Sequence, residues 1–105
     1  MIASDAREPT RDEIDRTAGP LILEFGAEWC GHCQAARPLL AALLKECPEI
    51  RHVRVEDGKG KPLGRSFQVK LWPTFIFLRD GKMEMRAVRP SAEELRAGLT
   101  AITSG

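Results

Sequence analysis

Two cysteines separated by two residues, Cys30 and Cys33, are the part of this chain best suited to chemistry. They stand in Trp29-Cys30-Gly31-His32-Cys33, where an apolar strand-like run gives way to a helical pattern. Cys30 therefore falls at a helix N-terminus. Unpaired backbone N–H groups and the positive dipole end favour a thiolate over a thiol there. The two-residue spacing lets the Cys33 sulfur reach Cys30 within one helical turn. The outer sulfur can attack a disulfide, and the inner one can resolve the mixed disulfide that results. Gly31 leaves the approach open, and His32 can add positive charge beside the thiolate. Trp29, next to the nucleophile, reads as a partly exposed groove wall. Glu24 is an acid inside an otherwise apolar run, Leu21 to Phe25.

The cysteines admit a second chemistry. Cys30, Cys33, Cys47 and His52 have finger-like spacing for zinc. The thirteen residues between Cys33 and Cys47 read as amphipathic helix, however, which at 1.5 Å per residue sets Cys47 about 20 Å away. Zinc ligands must lie within about 4 Å of one another, so no metal site is expected. Cys47 reads as a small apolar residue at the helix end, and His52 as an exposed strand-entry residue.

The elements that position these groups follow from local pattern. Thr10-Arg11-Asp12-Glu13 is a capping box opening a short helix that runs to about Thr17. Leu21 to Phe25 suits a strand buried on both faces. Gly31 to Cys47 is a long helix with Ala36, Leu40, Leu43, Leu44 and Cys47 at helical spacing, and Pro38 inside it should bend it. Val53 to Val55 is a short strand, and Pro62 opens a small helix ending near Phe67. Thr74 to Leu78 is a third strand. Asp80-Gly81 is a hairpin turn leading into Lys82–Val88. Ser91 and Glu94 cap a last helix with Leu95, Leu99 and Ile102 on one face. This order, α-β-α-β-α-β-β-α, predicts an α/β fold: a mixed sheet of four to five strands with helices on both faces. Residues 1–6 are the candidate fifth strand.

With 105 residues, 43% apolar and 30% charged, the chain reads as a single domain over 1–105. Sixteen Lys and Arg balance fifteen Asp and Glu, against the basic excess of nucleic-acid or anionic-membrane binders. No apolar run reaches the roughly 20 residues of a membrane span. The N-terminal residues have no signal-peptide pattern. A cytoplasmic monomer is the expectation.

The run Leu21-Ile-Leu-Glu-Phe-Gly-Ala-Glu-Trp-Cys-Gly-His-Cys, together with Pro38 and Trp72-Pro73-Thr74, resembles the thioredoxin family over about residues 8–103. The resemblance implies a thioredoxin fold and a thiol–disulfide oxidoreductase. Its redox centre would be the Cys30–Cys33 disulfide, with no other cofactor. Its partners would be protein disulfides and a thioredoxin reductase or other thiol donor. It also implies a cis Pro73 facing the cysteines, with the Trp72 backbone free to pair with an extended substrate. Glu24 would sit beneath Cys33 and move its proton. Burial should raise the Glu24 pKa as a base requires, and Arg54 would offset that shift.

His32, Glu24 and Trp72 lean toward the protein disulfide isomerase branch. Reduction potentials run from about −270 mV for thioredoxin to about −180 mV for the isomerase, and a value between them is expected. Arg89 stands where the family has glycine, at the groove rim or free in solvent; at the rim it would favour acidic substrates. An oxidant or isomerase, and a binding module without turnover, are the alternative functions. The two cysteines argue against the module.

Overall fold

Strand β1 (Pro20–Gly26) is the centre of a four-stranded sheet, in a computed structural model that describes residues 8–103. On one side β1 pairs in parallel with β2 (Arg51–Glu56), and on the other antiparallel with β3 (Thr74–Arg79). Strand β4 (Lys82–Val88) pairs antiparallel with β3 at the edge, with a register shift between Phe77 and Leu78. Helices α1 (Arg11–Asp15), α2 (Gly31–Leu44), α3 (Pro62–Ser66) and α4 (Ala92–Thr103) complete the expected order. The candidate fifth strand at residues 1–6 lies outside the described residues. Among the described residues no helix is long and apolar enough to cross a membrane.

Because side chains alternate along a strand, β1 feeds two separate cores. Leu21, Leu23 and Phe25 pack with Val53, Val55, Ile76 and Leu78, under Ile14 of α1 and Leu63 of α3. Ile22 faces the other way, with Phe75, Phe77 and Ala87, under Leu40 of α2 and Leu95, Leu99 and Ile102 of α4. Glu24 and Gly26 continue the Ile22 side of β1, so both point toward α2.

Local chemistry sets the element ends. Thr10 Oγ1 accepts the Glu13 N–H at 3.1 Å, and Glu13 Oε1 accepts the Thr10 N–H at 2.8 Å. Ser91 and Glu94 make the same reciprocal pair ahead of α4. Asp80 and Gly81 both have positive φ, 52° and 80°, as a two-residue hairpin turn requires. A side chain at Gly81 would also strike the Asp15 carbonyl.

Helix α2 ends at Leu44, three residues before the expected end. The Glu46 and Cys47 N–H groups bond back three residues, to Leu43 and Leu44. This tightened last turn leads into Pro48, which disfavours helix at the residue before it. Cys47 is partly buried against the α2/α4 core. Strand β2 is longer than Val53–Val55, because all six residues from Leu21 to Gly26 pair with Arg51 to Glu56.

Candidate active site

Cys30 is the N-cap of α2, and both cysteines are free thiols. Its sulfur accepts the Cys33 N–H at 3.3 Å. Cys30 keeps 7% of its surface and Cys33 none, so only Cys30 presents sulfur to a large substrate. The space under Cys33 exists because residue 26 is glycine: a Cβ there would lie 2.5 Å from the Cys33 sulfur.

The two thiols are driven apart in acidity. Burial alone would push Cys30 up. Hydrogen bonds from the Cys33 side chain and backbone N–H and from the His32 backbone N–H, with the charge of Arg89, outweigh it, and Cys30 lies below the ordinary thiol value. Burial pushes Cys33 up to about 11, reinforced by its bond to Cys30 and by the negative charges of Cys30 and Glu24. At neutral pH Cys30, the more accessible of the two sulfurs, is therefore the better thiolate, and Cys33 holds its proton.

A cleft of about 370 Å³ opens beside Cys30. Trp29, Gly31, His32, Trp72 and Arg89 line it, together with Lys70 and Leu71, while Pro73 is not among its lining residues. Trp29 is 74% exposed and meets Trp72 edge to face, centroids 5.4 Å apart. The Trp72 indole N–H donates to Asp57 Oδ2 at 2.9 Å, which fixes that ring. The Trp72–Pro73 bond is cis, and Pro73 is buried. Arg89 lines the cleft wall and is exposed, held there by two hydrogen bonds. Its N–H donates to the Pro73 carbonyl at 2.9 Å, and its Nε donates to the Trp72 carbonyl at 2.8 Å. Its φ of 47° is left-handed, which favours glycine.

Behind Cys33, Glu24 is 2% exposed and surrounded by bases. His52 Nε2 lies 2.8 Å from Oε1, and the Nε atoms of Arg37 and Arg54 lie 3.7 Å and 3.8 Å from Oε2. Strand register explains the cluster. Arg54 is the β2 partner of Glu24, and His52, two residues earlier, shares its face. Arg37 is one helical turn beyond Cys33, so α2 lays both over Glu24 and Gly26. His52 is thus not the exposed residue the sequence suggested: its side chain is 10% exposed and bonded to a carboxyl group.

A thioredoxin profile matches residues 3–101 of the chain. Thioredoxin 2 from Pseudomonas aeruginosa PAO1, in its reduced form, superposes with a TM-score of 0.83 at 57% identity, covering 97% of this chain and 96% of that one. A thioredoxin H-type of Ricinus communis is 34% identical over 76% of this chain and 68% of its own length. A thioredoxin of Chlamydia trachomatis is 32% identical over 84% of each. This chain belongs to the thioredoxin family. It has the thioredoxin fold, and its chemistry is thiol–disulfide oxidoreduction.

Within this thioredoxin fold, the structure gathers the predicted residues into two groups. Trp29, Cys30, Gly31, His32, Trp72 and Arg89 meet at the open cleft. Cys33 and Glu24 lie behind it. Sequence reasoning missed Gly26, Arg37, His52, Asp57, Lys70 and Leu71. Asp57 stands just past a strand end beside Glu56, and nothing local pairs it with a tryptophan fifteen residues away.

Proposed function

We propose that the chain is a protein disulfide reductase in which Cys30 attacks and Cys33 resolves. The Cys30 thiolate attacks one sulfur of a substrate disulfide. That S–S bond breaks, a substrate thiolate leaves, and a Cys30–substrate disulfide forms. Cys33 then gives its proton to Glu24 and attacks the Cys30 sulfur. The second substrate thiolate leaves, and the Cys30–Cys33 disulfide remains. Two electrons have passed to the substrate, whose thiolates take up protons. A reductase or another thiol donor restores the dithiol. Trp29, Trp72 and Leu71 offer apolar contact to an extended substrate, and Lys70 and Arg89 select for acidic ones.

The observation that carries this reading is the placement of the two sulfurs: Cys30 caps α2, accepts the Cys33 N–H and keeps some accessible surface, whereas Cys33 is fully buried, and burial pushes Cys33 up while hydrogen bonds bring Cys30 down. An attacking thiol must ionise near neutral pH, and a resolving thiol must wait until a base takes its proton. Glu24 is the carboxyl group placed to do so, since its charge acts on Cys33. The test is dithiothreitol-dependent reduction of insulin disulfides. Activity should vanish in Cys30→Ser and persist in Cys47→Ser. A normally folded Cys47→Ser protein without turnover would rule out the two-cysteine mechanism.

One observation favours the oxidant or isomerase reading. The Arg89 charge and the His32 N–H stabilise the Cys30 thiolate, hence the reduced form, which makes the disulfide more oxidising. The glutathione redox equilibrium decides direction. A potential near about −270 mV supports a reductase, and one near about −180 mV an oxidant or isomerase.

A further inference from the structure

A second concavity, of about 500 Å³, lies between α2 and β2, apart from the substrate cleft. Pro38, Ala41 and Leu44 give it an apolar wall, and Arg37, Lys45, Arg54 and His52 give it charge. Glu24 touches it but is 2% exposed, so the carboxyl group that takes a proton in each turnover has little contact with solvent.

Of the three bases around Glu24, two cannot accept a proton. Arg37 and Arg54 carry guanidinium groups, which donate hydrogen bonds and have no acceptor nitrogen. Their Nε atoms stand 3.7 Å and 3.8 Å from Oε2, beyond hydrogen-bond length, and are buried without a hydrogen-bond partner. His52 differs on each count. Its Nε2 lies 2.8 Å from Oε1, its ring also lines the concavity, and imidazole can bind a proton on one nitrogen while releasing one from the other.

We propose that His52 is the proton relay between Glu24 and solvent, making the concavity the proton exit of the resolving step. At rest Nε2–H donates to the carboxylate across the 2.8 Å contact. Once Cys33 has given its proton to Glu24, tautomer exchange with solvent moves the ring proton to Nδ1. The carboxyl O–H then passes its proton to the freed Nε2, and Nδ1 releases one to solvent, which restores the carboxylate and the Nε2–H tautomer together. His52 acts through Glu24, so the relay rests on the reading of Glu24 as proton acceptor for Cys33.

The test separates attack from resolution in single turnovers of the reduced chain with a fluorogenic peptide disulfide, where each step releases one thiol. His52→Gln keeps a hydrogen-bond donor but cannot relay. It should leave attack unchanged and slow resolution by roughly tenfold. In His52→Ala, added imidazoles should restore resolution in the order of their basicity, an order that filling a void would not produce. Glu24→Gln should slow resolution without rescue. Wild-type resolution rates and pH profile in His52→Gln, with Glu24→Gln slow, would overturn the relay and leave Glu24 in place. Wild-type resolution in Glu24→Gln would remove both.

Discussion

At the scale of single residues, the site works by giving two identical side chains different surroundings. Iodoacetamide should therefore alkylate Cys30 with a midpoint below the ordinary thiol value of 9.0, and Cys33 only as pH approaches about 11. The same difference acts on stability. Cys33, raised in the fold, favours the folded dithiol below pH 9.0, and that contribution is lost as pH rises toward about 11. Cys30, lowered in the fold, contributes above the ordinary value and loses its share only as pH falls. Denaturant titrations should show the dithiol form losing stability relative to the disulfide form between pH 9.0 and about 11. Equal pH dependence of the two forms would contradict the assignment.

Arg89→Gly removes the charge that lowers Cys30, opens the Trp72 carbonyl and relaxes the left-handed backbone. It should raise the Cys30 midpoint, make the potential more negative and weaken any preference for acidic peptides. That preference should also fade with salt, since the Debye length is about 10 Å at 0.1 M. His32→Pro removes the backbone N–H that bonds Cys30 and should shift both quantities the same way, whereas His32→Ala keeps the N–H and isolates the imidazole. Thiolate absorbance and the glutathione equilibrium read both variants. Cys30 and Cys33 are legible in the sequence because their spacing and helix start are local. His52 is not: in His52-Val53-Arg54-Val55 the alternation puts it on the polar side, and only the packing of α2 beside β2 encloses that side and brings Glu24 to it.

At the scale of elements, the active site depends on how closely helices lie on the sheet. Gly98 of α4 sits where a Cβ would run into the Phe77 ring, which is fully buried and has no room to swing away. Helix propensity alone would make Gly98→Ala stabilising by about 1 kcal/mol, but overpacking a core costs about 1–3 kcal/mol. The net expectation is a destabilised protein with a lower denaturant midpoint and unchanged Cys30 acidity; a stabilised variant would mean that α4 stands farther from β3. Most elements could be read from pattern because each has a local cause: two capping boxes, an Asp-Gly turn, and a strand apolar throughout. Their ends were less legible where tertiary pairing decides them. Strand β2 extends to Arg51 and Glu56 because β1 offers it six partners, and α2 stops at Leu44 because the following turn tightens before Pro48.

At the scale of the whole molecule, the two halves of the chemistry lie at different places along helix α2, the cleft at its N-terminus and the basic cluster along its side. Strand β1 ends beneath the cysteine pair, the cleft with its tryptophans opens beside Cys30, and the basic cluster around Glu24 faces the concavity between α2 and β2. In the proposed mechanism, substrate docks beside Cys30 and the proton of resolution leaves through the concavity. The fold class was readable from element order alone, whereas this division arises only when β1, β2 and α2 meet. The central claim is that Cys30 attacks and Cys33 resolves, and mass spectrometry of trapped adducts tests it most directly. Cys33→Ser mixed with a peptide disulfide should accumulate one covalent peptide on Cys30, because no resolving thiol remains, while Cys30→Ser should accumulate none. A peptide held through Cys33 or Cys47 in Cys30→Ser, or no adduct in a folded Cys33→Ser protein, would contradict the account.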